Sequence, residues 1–204
     1  MKISKSHTAV LLLVLSAMLT LGWGSTEEEL REAAAGVHTV QAGFVQEKHM
    51  KMLVRPLVSK GLFCYEAPGS LRWEYTDPVK SLLLMHDGRT RRFTFQDGKW
   101  VEEAGFDLQA MQVVVEQIAG WMAGRFDEND LFTARLLPER RIRLTPKNPA
   151  FGRYIERIDL ALSPVPGVME SVTLHEGENS FTRIRFTGTA VNRPVPDGRF
   201  TEVR

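Results

Sequence analysis

The chain has 204 residues, 26 Lys and Arg against 25 Asp and Glu, 43% hydrophobic residues and a single cysteine, Cys64. A balance this close to neutral argues against the one-sided basic surplus of a nucleic-acid binder. One cysteine excludes an intramolecular disulfide framework, so the fold has to be held by an apolar core.

Lys2 and Lys5 precede an apolar block from Ala9 to Leu21, followed by the small residues Gly22 and Gly24. A short basic region, a brief apolar run and small residues at the cleavage positions predict a removable secretory signal over residues 1–24. The alternative, an uncleaved membrane anchor, calls for about 20 apolar residues. No cysteine stands near the cleavage point for lipid attachment of the bacterial lipoprotein kind. The expected working protein is therefore soluble and spans residues 25–204, with 24 basic and 25 acidic residues once Lys2 and Lys5 are removed. That length supports one domain with a sizeable core.

Thr26 and Glu29 have capping-box spacing, and Leu30, Ala33, Ala34 and Val37 recur at helical intervals, predicting a short opening helix. From Val40 the pattern becomes β-rich, punctuated by Gly, Pro and Asp. Leu71, Trp73 and Tyr75 fall on one face of a strand, with Arg72 and Glu74 on the other. The runs containing Phe63 and Tyr65, and Leu82 to Met85, are apolar on both faces. Asp87-Gly88 and Asp97-Gly98 are hairpin dipeptides, with Phe93 and Phe95 pointing the same way between them. After Asp107, a candidate N-cap, Leu108, Met111, Val115, Ile118 and Met122 form the stripe of a longer helix.

Further strands are expected over 131–137, 141–145, 154–162, 170–175 and 181–189, for a total of nine or ten strands and two or three helices. Without βαβ alternation, this pattern predicts an α+β fold: one curved antiparallel sheet with helices on one side. The stretches Arg89–Arg92 and Glu139–Arg143 read as solvated strand faces.

Catalytic and metal signatures are sparse. His38, His49, His86 and His175 show no zinc-helix spacing, and neither a phosphate loop nor a dinucleotide-binding turn is present. No cofactor or metal is assigned. Asp127, Glu128 and Asp130 lack calcium-loop spacing. Cys64 is either a small apolar filler between Phe63 and Tyr65 or a nucleophile assisted by a distant histidine. The aromatic sheet face and the methionine- and valine-rich helix form either a plain core or a cavity for apolar chains, since methionine adapts to variable ligands.

The run Gly43-Phe44-Val45-Gln46-Glu47-Lys48, then Gly61-Leu62-Phe63, Pro68, Leu71-Arg72-Trp73-Glu74, Pro78 and Asp87-Gly88, resembles the periplasmic outer-membrane lipoprotein carrier (LolA-like) family. Phe186, Thr189-Ala190-Val191-Asn192, Pro194-Val195-Pro196-Asp197 and Phe200 resemble that family's closing segment. The resemblance implies an incomplete β-barrel with helices as a lid over an apolar cavity for acyl chains, and no enzymatic step. It implies a soluble monomer in a Gram-negative periplasm that takes acylated lipoprotein or lipid cargo from an inner-membrane ABC transporter complex to a lipid-anchored outer-membrane receptor.

In this reading Phe63, Tyr65, Leu71, Trp73, Tyr75, Phe93 and Phe95 line the sheet side, and Met111, Val115, Ile118 and Met122 the lid side. Two departures bear on cargo and control. Ala67 stands where enterobacterial carriers have a lid-holding arginine, and Arg55–Gly61 looks more like LolA-like proteins of pigment or glycolipid export. Alternatives kept open are an accessory carrier for a glycolipid or another acylated product, a lipid-headgroup enzyme, and a scaffold with a closed apolar interior.

Overall fold

The computed structural model describes residues 35–103, 131–165, 168–177 and 179–203, together with Glu32, Gly120 and Trp121. The expected signal, the opening helix and the stripe helix lie outside these residues, except that Glu32, Ala35, Gly120 and Trp121 are helical.

Among the described residues, eleven strands form one antiparallel sheet. They are β1 (Thr39–His49), β2 (Leu57–Glu66), β3 (Ser70–Asp77), β4 (Ser81–His86), β5 (Arg89–Gln96), β6 (Lys99–Glu103), β7 (Phe132–Leu137), β8 (Arg141–Pro146), β9 (Arg157–Leu162), β10 (Met169–Gly177) and β11 (Ser180–Val191). The spatial order is β6-β5-β4-β3-β2-β1-β11-β10-β9-β8-β7, so the first and last strands meet in the middle and β6 and β7 are open edges. The count exceeds the expected nine or ten because Lys99–Glu103, with little apolar alternation of its own, pairs with β5 through the Asp97-Gly98 turn. Residues 154–156 are not strand: a helical turn at Pro149–Gly152 precedes β9, which starts at Arg157.

Asp87 and Gly88 have φ of 49° and 70°, and Asp97 and Gly98 have 49° and 80°. Both central residues are left-handed, the geometry that matches a two-residue hairpin to strand twist.

Cross-strand partners share a face, and the pairings therefore trace one continuous apolar wall. Val40 faces Tyr65, Tyr65 faces Leu71, and Leu71 faces Met85; in the next row Ala42, Phe63, Trp73 and Leu83 follow one another. Across β1, Phe44 pairs with Phe186, and beyond it Ile184, Val172, Leu160 and Ile142 extend the wall toward β7. All of these belong to one buried cluster.

The sheet curls toward this wall. Trp73 and Phe186 lie on strands three positions apart, about 14 Å in a flat sheet, yet their ring centroids are 6.4 Å apart. Phe44 and Trp73, two strands apart, approach to 4.8 Å.

The outer face differs between its halves. Over β2–β5 it carries buried Cys64, Arg72, Leu82, Leu84 and Phe93, and it is covered by the C-terminal tail. Arg72 Nη1 donates to the carbonyls of Arg199 (3.2 Å) and Glu202 (2.8 Å), while Val203 packs on Leu82, Leu84 and Phe93. Over β8–β11 the outer face is ionic. Arg143, Arg157 and His175 converge on Asp159, and Arg185 pairs with Glu47.

Asn192 turns the chain from β11 into the tail with φ of 54°. Its Oδ1 accepts from His38 N at 2.8 Å, and its Nδ2 donates to Gly36 O at 2.8 Å, which ties the start of β1 to the end of β11. Asn192→Ala is expected to cost about 1–3 kcal/mol, because two backbone groups lose a partner and a left-handed position loses the residue that tolerates it. Urea titration of the folded domain measures the loss.

Candidate functional site

The inner wall gathers the large aromatics. Phe63 and Trp73 meet edge-on at 5.5 Å, Phe44 and Tyr75 at 5.2 Å, and Phe63 and Phe186 at 5.7 Å. These are favourable quadrupolar arrangements, so the wall is apolar and also firmly packed. At its β5–β6 border the wall turns polar. Arg92 pairs with Glu103 at 3.2 Å, and Thr94 donates to the same carboxylate.

Of the residues expected on the sheet side, Phe63, Tyr65, Leu71, Trp73 and Tyr75 stand together on this wall. Phe93 and Phe95 do not, which corrects the expectation that they share it. Trp73 pairs with Leu83, and Leu83 with Arg92, so Arg92 points inward. Phe93 pairs with Leu82 on the outer face, where it is buried beneath the tail. Phe95, on that same outer face, is 37% exposed, with the Lys80 ammonium 5.2 Å from its ring centre. Met111, Val115, Ile118 and Met122 lie outside the described residues.

The wall also holds residues that the sequence reading left out. Phe44 and Phe186 are central to it, and the helical Trp121, 2% exposed, packs against it with its ring 6.0 Å from Phe132. Phe44 and Phe186 were legible only as motif residues, and Trp121 fell beside the stripe of the helix.

Polar atoms on this wall are incompletely satisfied. Among the described residues, the Tyr65 hydroxyl and Thr90 Oγ1, and Nε1 of Trp121 packed against the wall, are buried without a hydrogen-bond partner, and the Trp73 indole N–H lies against the Tyr75 phenol without a well-formed bond. Tyr65 and Thr90 belong to one row, running Tyr65, Leu71, Met85 and Thr90 across four strands. Leaving such a group unpaired costs about 1–3 kcal/mol, so the arrangement is costly in a plain core and useful where a ligand brings a polar end. Tyr75 is different: burial pushes its phenol up, and the hydroxyl donates to Gln46 Oε1 at 2.8 Å.

Cys64 sits on the outer face, buried beneath the tail. Burial pushes its thiol up, against a smaller opposing effect of Arg199. A thiol held protonated in this way is a filler in character, and it is separated from the inner wall by the thickness of the sheet.

Comparison with known proteins agrees with this geometry. The MucA/MucB complex of Pseudomonas aeruginosa includes a chain with the same fold at TM-score 0.51 and 16% identity; the match covers 85% of this chain and 58% of that one. A LolA superfamily protein from Nitrosomonas europaea aligns over 88% of this chain and 99% of its own at TM-score 0.44 and 11% identity. In sequence, an outer-membrane lipoprotein carrier protein of Nitrosospira multiformis is 25% identical over 98% of this chain and 94% of its own length. The family model described as outer membrane lipoprotein carrier protein LolA matches residues 35–202, so the chain belongs to the LolA family.

Proposed function

We propose that the inner wall binds acyl chains and that the protein carries acylated cargo, lipoproteins first among them, through the periplasm from the inner membrane to the outer. The observation that carries this reading is the inner wall itself: a continuous apolar surface on an open sheet, with buried, unpartnered polar atoms set into it. Acyl chains match the apolar part, and the ester or amide carbonyls that join them to cargo match the Tyr65 hydroxyl and the Thr90 hydroxyl. Membership in a carrier family and a 25%-identical relative named as a lipoprotein carrier support the same reading.

Burying a methylene contributes about 0.8 kcal/mol, so a 16-carbon chain offers on the order of 12 kcal/mol gross. A carrier has to hand that chain on, so part of the gain must be offset by opening the site. Met111, Val115, Ile118 and Met122 are our candidates for the opposing wall. An inner-membrane ABC transporter complex and a lipid-anchored receptor are the proposed donor and acceptor. Catalysis forms no part of this role.

Tyr65→Phe separates a cavity from a core. It should stabilise the empty protein by about 1 kcal/mol, because a buried hydroxyl without a partner is removed. It should also weaken binding of an acyl ester while leaving binding of the matching alkane unchanged. A variant that binds the ester as well as the parent does would remove Tyr65 from the site.

Native mass spectrometry of protein taken from its own periplasm tests the carrier role: acylated species should co-purify, and a clean apo mass would defeat it. The mass also distinguishes lipoprotein from glycolipid cargo, the second reading, which the stretch Arg55–Gly61 suggests by its likeness to LolA-like proteins of pigment or glycolipid export.

A further inference from the structure

At β5 the inner wall changes chemistry within a single row of cross-strand partners. The row runs Phe63, Trp73, Leu83, Arg92 and Glu103 from β2 to β6, so an ion pair follows directly on buried apolar side chains. Arg92 Nε lies 3.2 Å from Glu103 Oε2, and the two side chains are 28% and 37% exposed. Thr90 and Thr94 flank Arg92 on the same face of β5, each about 7 Å along the strand. Thr94 Oγ1 donates to Glu103 Oε1, while Thr90 Oγ1 is buried with no partner among the described residues. Burial pushes the Tyr75 phenol up, and Arg92 is among the groups that oppose the rise, so the guanidinium reaches back over β4 toward the aromatics.

The charges of this strip balance. Among the described residues, the one further charge on the inner face of β3–β6 is Lys99, four residues along β6 from Glu103 and about 13 Å away. Asp77, beyond the bulge of β3, pairs with Lys60 on the outer face, and Lys80 stands over Phe95 there. Across the sheet, Lys48 and Glu176 pair with each other at 3.4 Å. A phosphate placed on Arg92 would therefore stand against the Glu103 carboxylate. An uncharged group with a donor beside an acceptor satisfies both members of the pair: its acceptor meets the Arg92 and Thr90 donors, and its donor meets Glu103. Vicinal hydroxyls have this pattern, and so does an amide.

We propose that Thr90, Arg92, Thr94 and Glu103 form a headgroup subsite that selects uncharged amphiphiles, with a donor beside an acceptor at the polar end, over phosphate-bearing ones of the same chain. The subsite rests on the reading of the inner wall as an acyl site and adds the chemistry of the group that follows the chain.

The test uses the full chain and four probes of one chain length, each read by displacement of a fluorescent acyl probe: methyl laurate, 1-lauroylglycerol, N-lauroylglycinamide and 1-lauroyl lysophosphatidate. The last differs from the glycerol probe by one phosphate. At least one of the glycerol and amide probes should bind about tenfold or more above the methyl ester, and the lysophosphatidate should fall below the glycerol probe. The ratio of the glycerol to the amide probe tells a hydroxylated headgroup from the peptide amide of a lipidated protein. Glu103→Gln leaves Arg92 uncompensated and should reverse the order, placing lysophosphatidate above the glycerol probe. Arg92→Met with Glu103→Met should bring the four probes together. Equal affinities in the parent, with the ester bound, overturn the subsite and leave the acyl wall standing. Lysophosphatidate bound tightest by the parent overturns the selection of uncharged groups. A methyl ester that does not bind overturns the reading of the wall, and the subsite with it.

Discussion

Gly61→Ala is expected to destabilise the domain by about 3 kcal/mol or more, a large part of the roughly 5–15 kcal/mol that holds a domain together. A Cβ at position 61 would stand 2.0 Å from the backbone oxygen of Glu74 and 2.4 Å from Cζ of Phe44. Phe44 is paired opposite Gly61, and its ring lies over the space where a side chain would be. The ring can turn away, but the carbonyl belongs to β3 and moves only if the β2–β3 pairing opens. The two obstacles are therefore separable. Phe44→Ala in the Gly61→Ala background should recover little stability, because the carbonyl contact remains. Urea unfolding of the four proteins of the cycle measures this. Near-complete recovery in the double variant would mean that the ring, not the backbone, is what glycine accommodates.

The same position shows how far the sequence could be read. Alternation inside each strand was legible: Leu71, Trp73 and Tyr75 do share a face, and Phe63 and Tyr65 stand beside them on the wall. What alternation does not give is the parity of one strand relative to the next, since a shift of one residue in register sends the other set inward. For most strands composition resolves this, because only one set is apolar. β4 gives no such information: Leu82 and Leu84 are as apolar as Leu83 and Met85, and both sets are buried, one by the core and one by the tail.

The parity was thus lost at β4, and Phe93 was assigned to the wrong face of β5. Arg92 points inward because it has Glu103 opposite it at the polar border of the wall, a partner that no local pattern announces. Phe44 was missed for a related reason. Its importance comes from Gly61 and Phe186, which are distant in sequence and meet it only because the first and last strands pair.

The tail that closes the outer face depends on one buried cation. Arg72→Met is expected to cost about 3–5 kcal/mol, although methionine fills much of the same volume. The Arg72 side chain is 5% exposed, and its Nε donates to Glu74 Oε2 at 2.8 Å. Its Nη1 donates to the two tail carbonyls of Arg199 and Glu202. Without the guanidinium, a carboxylate 16% exposed loses its counter-charge, and both carbonyls lose a donor. Arg72→Lys should rescue little, because a single ammonium cannot satisfy three acceptors held in a fork. Arg72→Met with Glu74→Gln should recover only the part due to the stranded charge.

The remainder of the loss belongs to the tail and can be read separately. If the tail detaches, Leu82, Leu84 and Phe93 lose the cover of Val203, and Phe200 leaves its stacking contact with His86. Limited proteolysis after Asn192 should then accelerate, and an apolar dye should bind the outer face while the inner wall still takes its ligand. A variant that loses stability with the tail still protected would place the whole cost at Glu74 and release Arg72 from the role of anchor.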